Sequence, residues 1–70
     1  MNYESNLARY NALINCNNQL FLLTRERYSI IVNKLLICRD PVKTIQYKAI
    51  LNSLDRILEM FLNIEFSTTN

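Results

Sequence analysis

Glycine and histidine are absent from this 70-residue chain, proline occurs once and cysteine twice, and each shortage excludes something. Without glycine there is no phosphate-cradling loop, and strand turns lose their usual residue. Without histidine, a cysteine nucleophile lacks its usual base. Two cysteines cannot hold zinc without carboxylates at metal-ligand spacing, and no such spacing occurs. A single proline leaves helices almost uninterrupted. No apolar run approaches the roughly 18 residues of a membrane span. The net charge of +2 is too small to point to nucleic acid. Arg25, Arg27, Lys34 and Arg39 do cluster, but Glu26 sits among them and no RNA-binding signature accompanies them.

These absences leave an all-α chain. A domain this short buries only about 60% of its unfolded surface, so a staple or a partner is expected to supply the remaining stability. A Cys16–Cys38 disulfide is allowed on count alone. Met1-Asn2-Tyr3-Glu4 is polar and acidic, however, with neither a basic nor an apolar signal region, so the expectation is a cytosolic chain with reduced thiols. That makes a partner protein the leading candidate.

Helical periodicity organises what is present. Tyr3, Leu7, Tyr10, Ile14, Asn17, Phe21, Thr24, Tyr28, Ile31, Leu35 and Cys38 are spaced alternately by four and three, and Tyr47, Ile50, Leu54, Ile57, Phe61 and Ile64 repeat the alternation. Between the two seams stands Arg39-Asp40-Pro41. Asp40 suits a helix N-cap and Pro41 the first helical position, while proline disfavours the α conformation at Asp40 and so stops the preceding helix. Arg39 is placed in that helix's last turn, facing its negative dipole end. A connection this short folds two helices into an antiparallel, coiled-coil-like hairpin. Opposed positions then sum to about 82, pairing Phe21 with Phe61 and Tyr28 with Leu54. Arg27 falls near Asp55 and Arg25 near Glu59, as exposed ion pairs worth about 0–1 kcal/mol each.

The arms of this hairpin are unequal. Residues 1 to about 14 have no opposing helix, since the chain ends in the polar tail Ser67–Asn70. Either the first helix overhangs and another molecule covers it, or it breaks at the helix-poor run Asn15-Cys16-Asn17-Asn18 and packs back, which is the preferred reading. The organisation is therefore one domain. An N-terminal helical segment spans about 3–15, the hairpin helices about 18–39 and about 41–66, and the tail 67–70.

A hairpin needs one apolar stripe per helix, and this chain has more. Cys16, Leu23, Ile30 and Ile37 form a second line roughly 100° from the first, with Leu13 and Leu20 beside it. Leu51, Leu58 and Leu62 flank the seam of the other helix. A folded-back N-terminal helix would cover part of this surplus. What is left would exceed the apolar patch a soluble monomer normally exposes, and reads as a docking face for a helical protein or a second copy. The expected contact set is Leu20, Leu23, Ile30, Leu51, Leu58 and Leu62, with Tyr10 and Leu13 at its edge. Catalysis has little to stand on: Cys38 reads as a small seam hydrophobe, and Asp55 and Glu59 would hold a metal only with ligands from elsewhere. Neither enzyme activity nor a cofactor is expected.

The stretch Asp40 to Phe66, "DPVKTIQYKAILNSLDRILEMFLNIEF", resembles the C-terminal helix of the small type III secretion co-chaperones of the YscE/PscE/EscE type. Those proteins have a long helix, a tight turn and a second helix that opens with a Gln-Tyr pair. Alternating aliphatics follow, with an acidic residue in mid-helix. Here the turn is Arg39-Asp40-Pro41, the pair Gln46-Tyr47, and the run Ile50 to Ile64 with Asp55 inside it. The first half matches in length and amphipathic period only. The resemblance implies a protein of the Gram-negative bacterial cytoplasm that binds and stabilises a TPR-like chaperone as a heterodimer. Through that chaperone, in a heterotrimer, it keeps the needle subunit unpolymerised before export. The hairpin would cap the edge of the TPR stack, and alone it would be marginal or self-associating. The alternatives are a homodimeric, RNA-binding hairpin of the plasmid-copy-control type and a small phage-encoded inhibitor of a host protein.

Overall fold

The structure, a computed structural model, describes residues 2–13 and 17–68, with the backbone alone for residues 64–68. Three helices follow in order, α1 (Tyr3–Asn11), α2 (Gln19–Ile37) and α3 (Pro41–Thr68). Among the described residues there is no strand.

Each helix begins on a short polar side chain that accepts the otherwise free amides of the first turn. Asn2 Oδ1 accepts from Ser5 N at 3.2 Å. Asn18 Oδ1 accepts from Leu20 N at 2.9 Å and Phe21 N at 3.3 Å, so the asparagine that ends the helix-poor run also starts α2. Asp40 Oδ1 accepts from Val42 N at 2.9 Å with Pro41 in the first helical position. The expected helix ends need correction at two places. α1 stops at Asn11 rather than near residue 15, and α2 stops at Ile37, which leaves Arg39 in the connection. Lys34 is the cation of the last turn of α2. The cause is that Cys38 is already extended (φ −77°, ψ 131°). Its thiol stays within the turn, donating to Asp40 O at 3.5 Å and accepting from Thr44 Oγ1 at 3.6 Å. No described residue has positive φ, so the elbow between α2 and α3 turns without needing a glycine.

α2 and α3 form the antiparallel hairpin. Phe21 and Phe61 meet edge to face at 5.6 Å between ring centroids, the register in which opposed numbers sum to about 82. On α2 the buried line is Phe21, Thr24, Tyr28 and Ile31, joined by Val32. Thr24 is tolerated in that seam because its hydroxyl donates back to Leu20 O at 2.6 Å. Asn17 is exposed. Ile14 and Cys16, and the side chain of Ile64, lie outside the described residues.

On α3 the seam is rotated by one position from the expected one. Leu51, Asp55, Leu58 and Leu62 are buried, while Ile50 and Ile57 are 41% and 39% exposed. The reason is a third helix. α1 lies back along the hairpin, so the core of α3 faces the space between α1 and α2 rather than α2 alone.

The direction of α1 follows from its bonds. Tyr3 contacts Asn52, Asn6 contacts Asp55 and Arg9 contacts Glu59, at sequence separations of 49, 49 and 50. A constant separation means that α1 runs parallel to α3, and therefore antiparallel to α2. The long axis of the molecule, 44 Å, is close to the length of α3 alone at about 1.5 Å per residue. The core is small: Tyr10, Phe21, Tyr28, Ile31, Val32, Leu51, Leu58 and Leu62. Each member accordingly carries a large share of the stability. Leu58→Ala is expected to lower the unfolding free energy by about 2–5 kcal/mol, read from urea midpoints. Leu23→Ala, on the surface, should stay within about 0.5 kcal/mol. Equal losses at the two sites would contradict this assignment of inside and outside.

Candidate functional site

The expected contact set divides into two groups. Tyr10, Leu51, Leu58 and Leu62 belong to the core, with 0–5% exposure, and Leu13 is half-buried against it. Reading these residues as a free docking surface is corrected by the return of α1, which closes the space around them. Leu20, Leu23 and Ile30 remain open, at 60%, 62% and 44% exposure.

The covered side is held by polar chemistry. Asp55 is 7% exposed between Leu51 and Leu58. Its Oδ1 accepts from Tyr10 Oη at 2.6 Å, and both its oxygens lie within 3.5 Å of Asn6 Nδ2. Arg9 pairs with Glu59 at 2.8 Å, and Tyr3 Oη donates to Asn52 Oδ1 at 2.8 Å. Arg25 reaches the carbonyl of Tyr10 at 3.4 Å while stacking over Phe21 at 5.5 Å. The expected pairs Arg27–Asp55 and Arg25–Glu59 are thus replaced: α1 sits over both carboxylates and supplies their partners. A signal for this was present in the sequence. Tyr3, Asn6 and Tyr10 recur at the spacing of Asn52, Asp55 and Glu59, so two polar stripes of the same period could face each other in parallel.

Tyr28 is fully buried and packs edge to face on Tyr10 at 5.3 Å. Its hydroxyl faces Asp55 without a well-aligned hydrogen bond. Burial first, and then the neighbouring Asp55 carboxylate, push both phenols well above the ordinary value of 10.0. For Tyr28 the nearby Asn6 amide offsets part of that rise.

On the other side of the hairpin no helix lies among the described residues. At about 100° per residue, Leu20, Leu23 and Ile30 project from α2 away from Val32 and Arg25, the residues turned toward α1. Ile50 and Ile57 of α3 project to that same open side, with Leu54 and Phe61 half-buried at its floor. A shallow depression there is lined by Leu23, Glu26, Arg27, Ile30, Ile31 and Lys34. Among the described residues no group of three or more Cys, Asp or Glu side chains could hold a metal, and no helix is long and apolar enough to cross a membrane. Cys38 is a free thiol, and pairing with Cys16 lies outside the described residues.

Two tyrosines a ring's width apart should respond unequally to loss of the hydroxyl. Tyr10→Phe strips a buried carboxylate of its short bond and should cost about 1–3 kcal/mol, with hydrogen exchange speeding up over residues 3–11. Tyr28→Phe removes a poorly bonded hydroxyl and should be near neutral at pH 7. Because the folded chain holds both phenols protonated, above about pH 10 the unfolded chain loses protons that the folded chain keeps, and stability falls. Urea midpoints between pH 8 and 11.5 should therefore decline, and Tyr28→Phe should flatten the decline. An unchanged slope would contradict the placement of Tyr28.

No family model, curated protein or solved structure matches the chain, so a reading of its role rests on the two sides of the hairpin.

Proposed function

We propose that this chain is a cytoplasmic type III secretion co-chaperone that docks on a TPR-like chaperone and, with it, keeps the needle subunit soluble before export. The observation that carries the reading is the open face: Leu20, Leu23 and Ile30 of α2 are exposed, as are Ile50 and Ile57 of α3, and at about 100° per residue both sets turn away from α1. Surfaces of this kind mark interaction sites. The resemblance of Asp40 to Phe66 to that co-chaperone family supplies the kind of partner.

The architecture suits such a role physically. The last helices of a TPR stack have one uncovered edge, and a rigid two-helix face can continue the stack by one layer. α1, bonded across α3, stiffens the hairpin from behind, so little conformational freedom is lost on docking. In this reading Leu51, Leu58 and Leu62 act indirectly, by supporting the face from the core. The contact residues are Leu20, Leu23 and Ile30 with Ile50 and Ile57.

The test is co-expression with the neighbouring genes of its operon, followed by solution mass and thermal unfolding. A stable 1:1 complex with a TPR-like neighbour is expected. Leu23→Glu should abolish that complex with helix content unchanged, because it places a charge on the open face and touches nothing in the core. A well-folded monomer that binds no neighbour would sink the reading.

A further inference from the structure

Charge is unevenly distributed over the molecule: the α1 side mixes acids with cations, Arg56 beside Asp55 and Glu59 among them, while the open side has fewer acids. Glu4, Asp55 and Glu59 lie on the α1 side, where Arg9 and Arg25 also engage that helix or its partners. The open side is predominantly basic. Along α2, Leu20, Leu23, Arg27, Ile30, Lys34 and Ile37 follow one another at spacings of three and four, and all six are exposed. At the turn end, Arg39 and Lys43 come beside Lys34, Ile37 and Tyr47 in one depression. Asp40 lines it too, but its carboxylate caps α3. Arg27, Lys34, Arg39 and Lys43 form no ion pair among the described residues. Glu26 is the one acid at the margin of the Leu23–Ile30 depression.

We infer that the open face takes an acidic amphipathic helix of a partner protein, its apolar stripe seated on Leu23, Ile30, Ile50 and Ile57 and its flanking carboxylates on Arg27, Lys34, Arg39 and Lys43. The inference rests on the reading that this face docks a helical partner, and adds the chemistry of the partner's surface. The stripe from Leu20 to Ile37 is roughly 25 Å long, about five helical turns, so a helix rather than a short peptide matches it. Charge disfavours a second copy as the occupant. A two-fold pairing would set the four cations against themselves, or against the neutral end that carries Leu20, Leu23 and Ile57. Glu26 alone offers too few carboxylates to neutralise them. RNA fits less well, because the cations alternate with aliphatic side chains and Tyr47 is the sole aromatic at the basic end, whereas single-stranded RNA is bound by stacking on exposed aromatics.

The experiment uses the full chain and three synthetic helical peptides with the same leucine heptads, flanked by Glu, by Gln or by Lys, together with a stem-loop RNA. Binding is followed by fluorescence anisotropy and the site by amide shifts. The Glu peptide should bind about tenfold tighter than the Gln peptide and the Lys peptide weakest, with shifts centred on Leu23, Ile30, Ile50 and Ile57. Raising NaCl from about 50 to 500 mM should weaken the Glu peptide several-fold. In the double variant Arg27→Glu, Lys34→Glu the order of Glu and Lys peptides should reverse, with helix content unchanged. Equal affinity for all three peptides would overturn the inference. So would shifts confined to the α1 side, tighter binding of the RNA, or a dimer of the chain that excludes the peptides. The two proposals fail separately. A TPR-like neighbour bound equally by the natural chain and the charge-reversed variant sinks this one alone. Selective binding of the Glu peptide without any operon partner sinks the other.

Discussion

A carboxylate buried among leucines would cost roughly several kcal/mol if nothing replaced its water. Asp55 stands in that position on α3, and its replacement partners, Tyr10 and Asn6, come from a helix 45 to 49 residues earlier. Once these bonds form, α1 can lie only in the groove beside Asn52, Asp55 and Glu59, parallel to α3. The aromatic rings follow, with Tyr10 against Tyr28 and Phe21 against Phe61. The rotation of the α3 seam toward Leu51 and Leu58 follows as well. A weaker apolar contact would not choose one side of a nearly symmetrical hairpin in this way, since apolar surfaces are indifferent to direction and a hydrogen bond is not.

That choice makes the molecule two-sided. One side is sealed by a nine-residue helix and bonded through side chains. The other is left with aliphatic residues and unpaired cations. The same event therefore builds the core and shapes the free surface: every leucine that α1 covers is withdrawn from solvent, while Leu20, Leu23 and Ile30 stay exposed. The short elbow at Asp40-Pro41 holds the two helices in one register, with Phe21 set against Phe61.

Much of this could be read from the chain. The break before Asn18, the elbow at Asp40-Pro41 and the pairing of Phe21 with Phe61 come from capping chemistry and spacing, which are local and strongly patterned. The seam of α2 was legible for the same reason. The seam of α3 was not, because a two-helix periodicity places Ile50 and Ile57 inward and cannot register a third helix that draws Leu51 and Leu58 inward instead. The ion pairs were misassigned on related grounds. Opposite charges suggested Arg27 and Arg25 as partners, whereas the neutral stripe Tyr3, Asn6 and Tyr10 signals a match to Asn52, Asp55 and Glu59 only through its spacing, which a search for opposite charges passes over. Of the site, Leu20, Leu23 and Ile30 were legible as surplus to a hairpin. Leu51, Leu58 and Leu62 looked equally surplus until α1 was placed.

The parallel packing of α1 on α3 also orders events during synthesis. α1 leaves the ribosome first, yet Asn52, Asp55 and Glu59 follow about fifty residues later. Through most of translation Tyr10 has neither Tyr28 nor a carboxylate to meet, and the hairpin can pair locally only after the elbow has emerged. The side-chain bonds that fix α1 on α3 can therefore close only after α3 has been made, and until then the side of α3 that carries Asp55 is open to whatever helix is nearby.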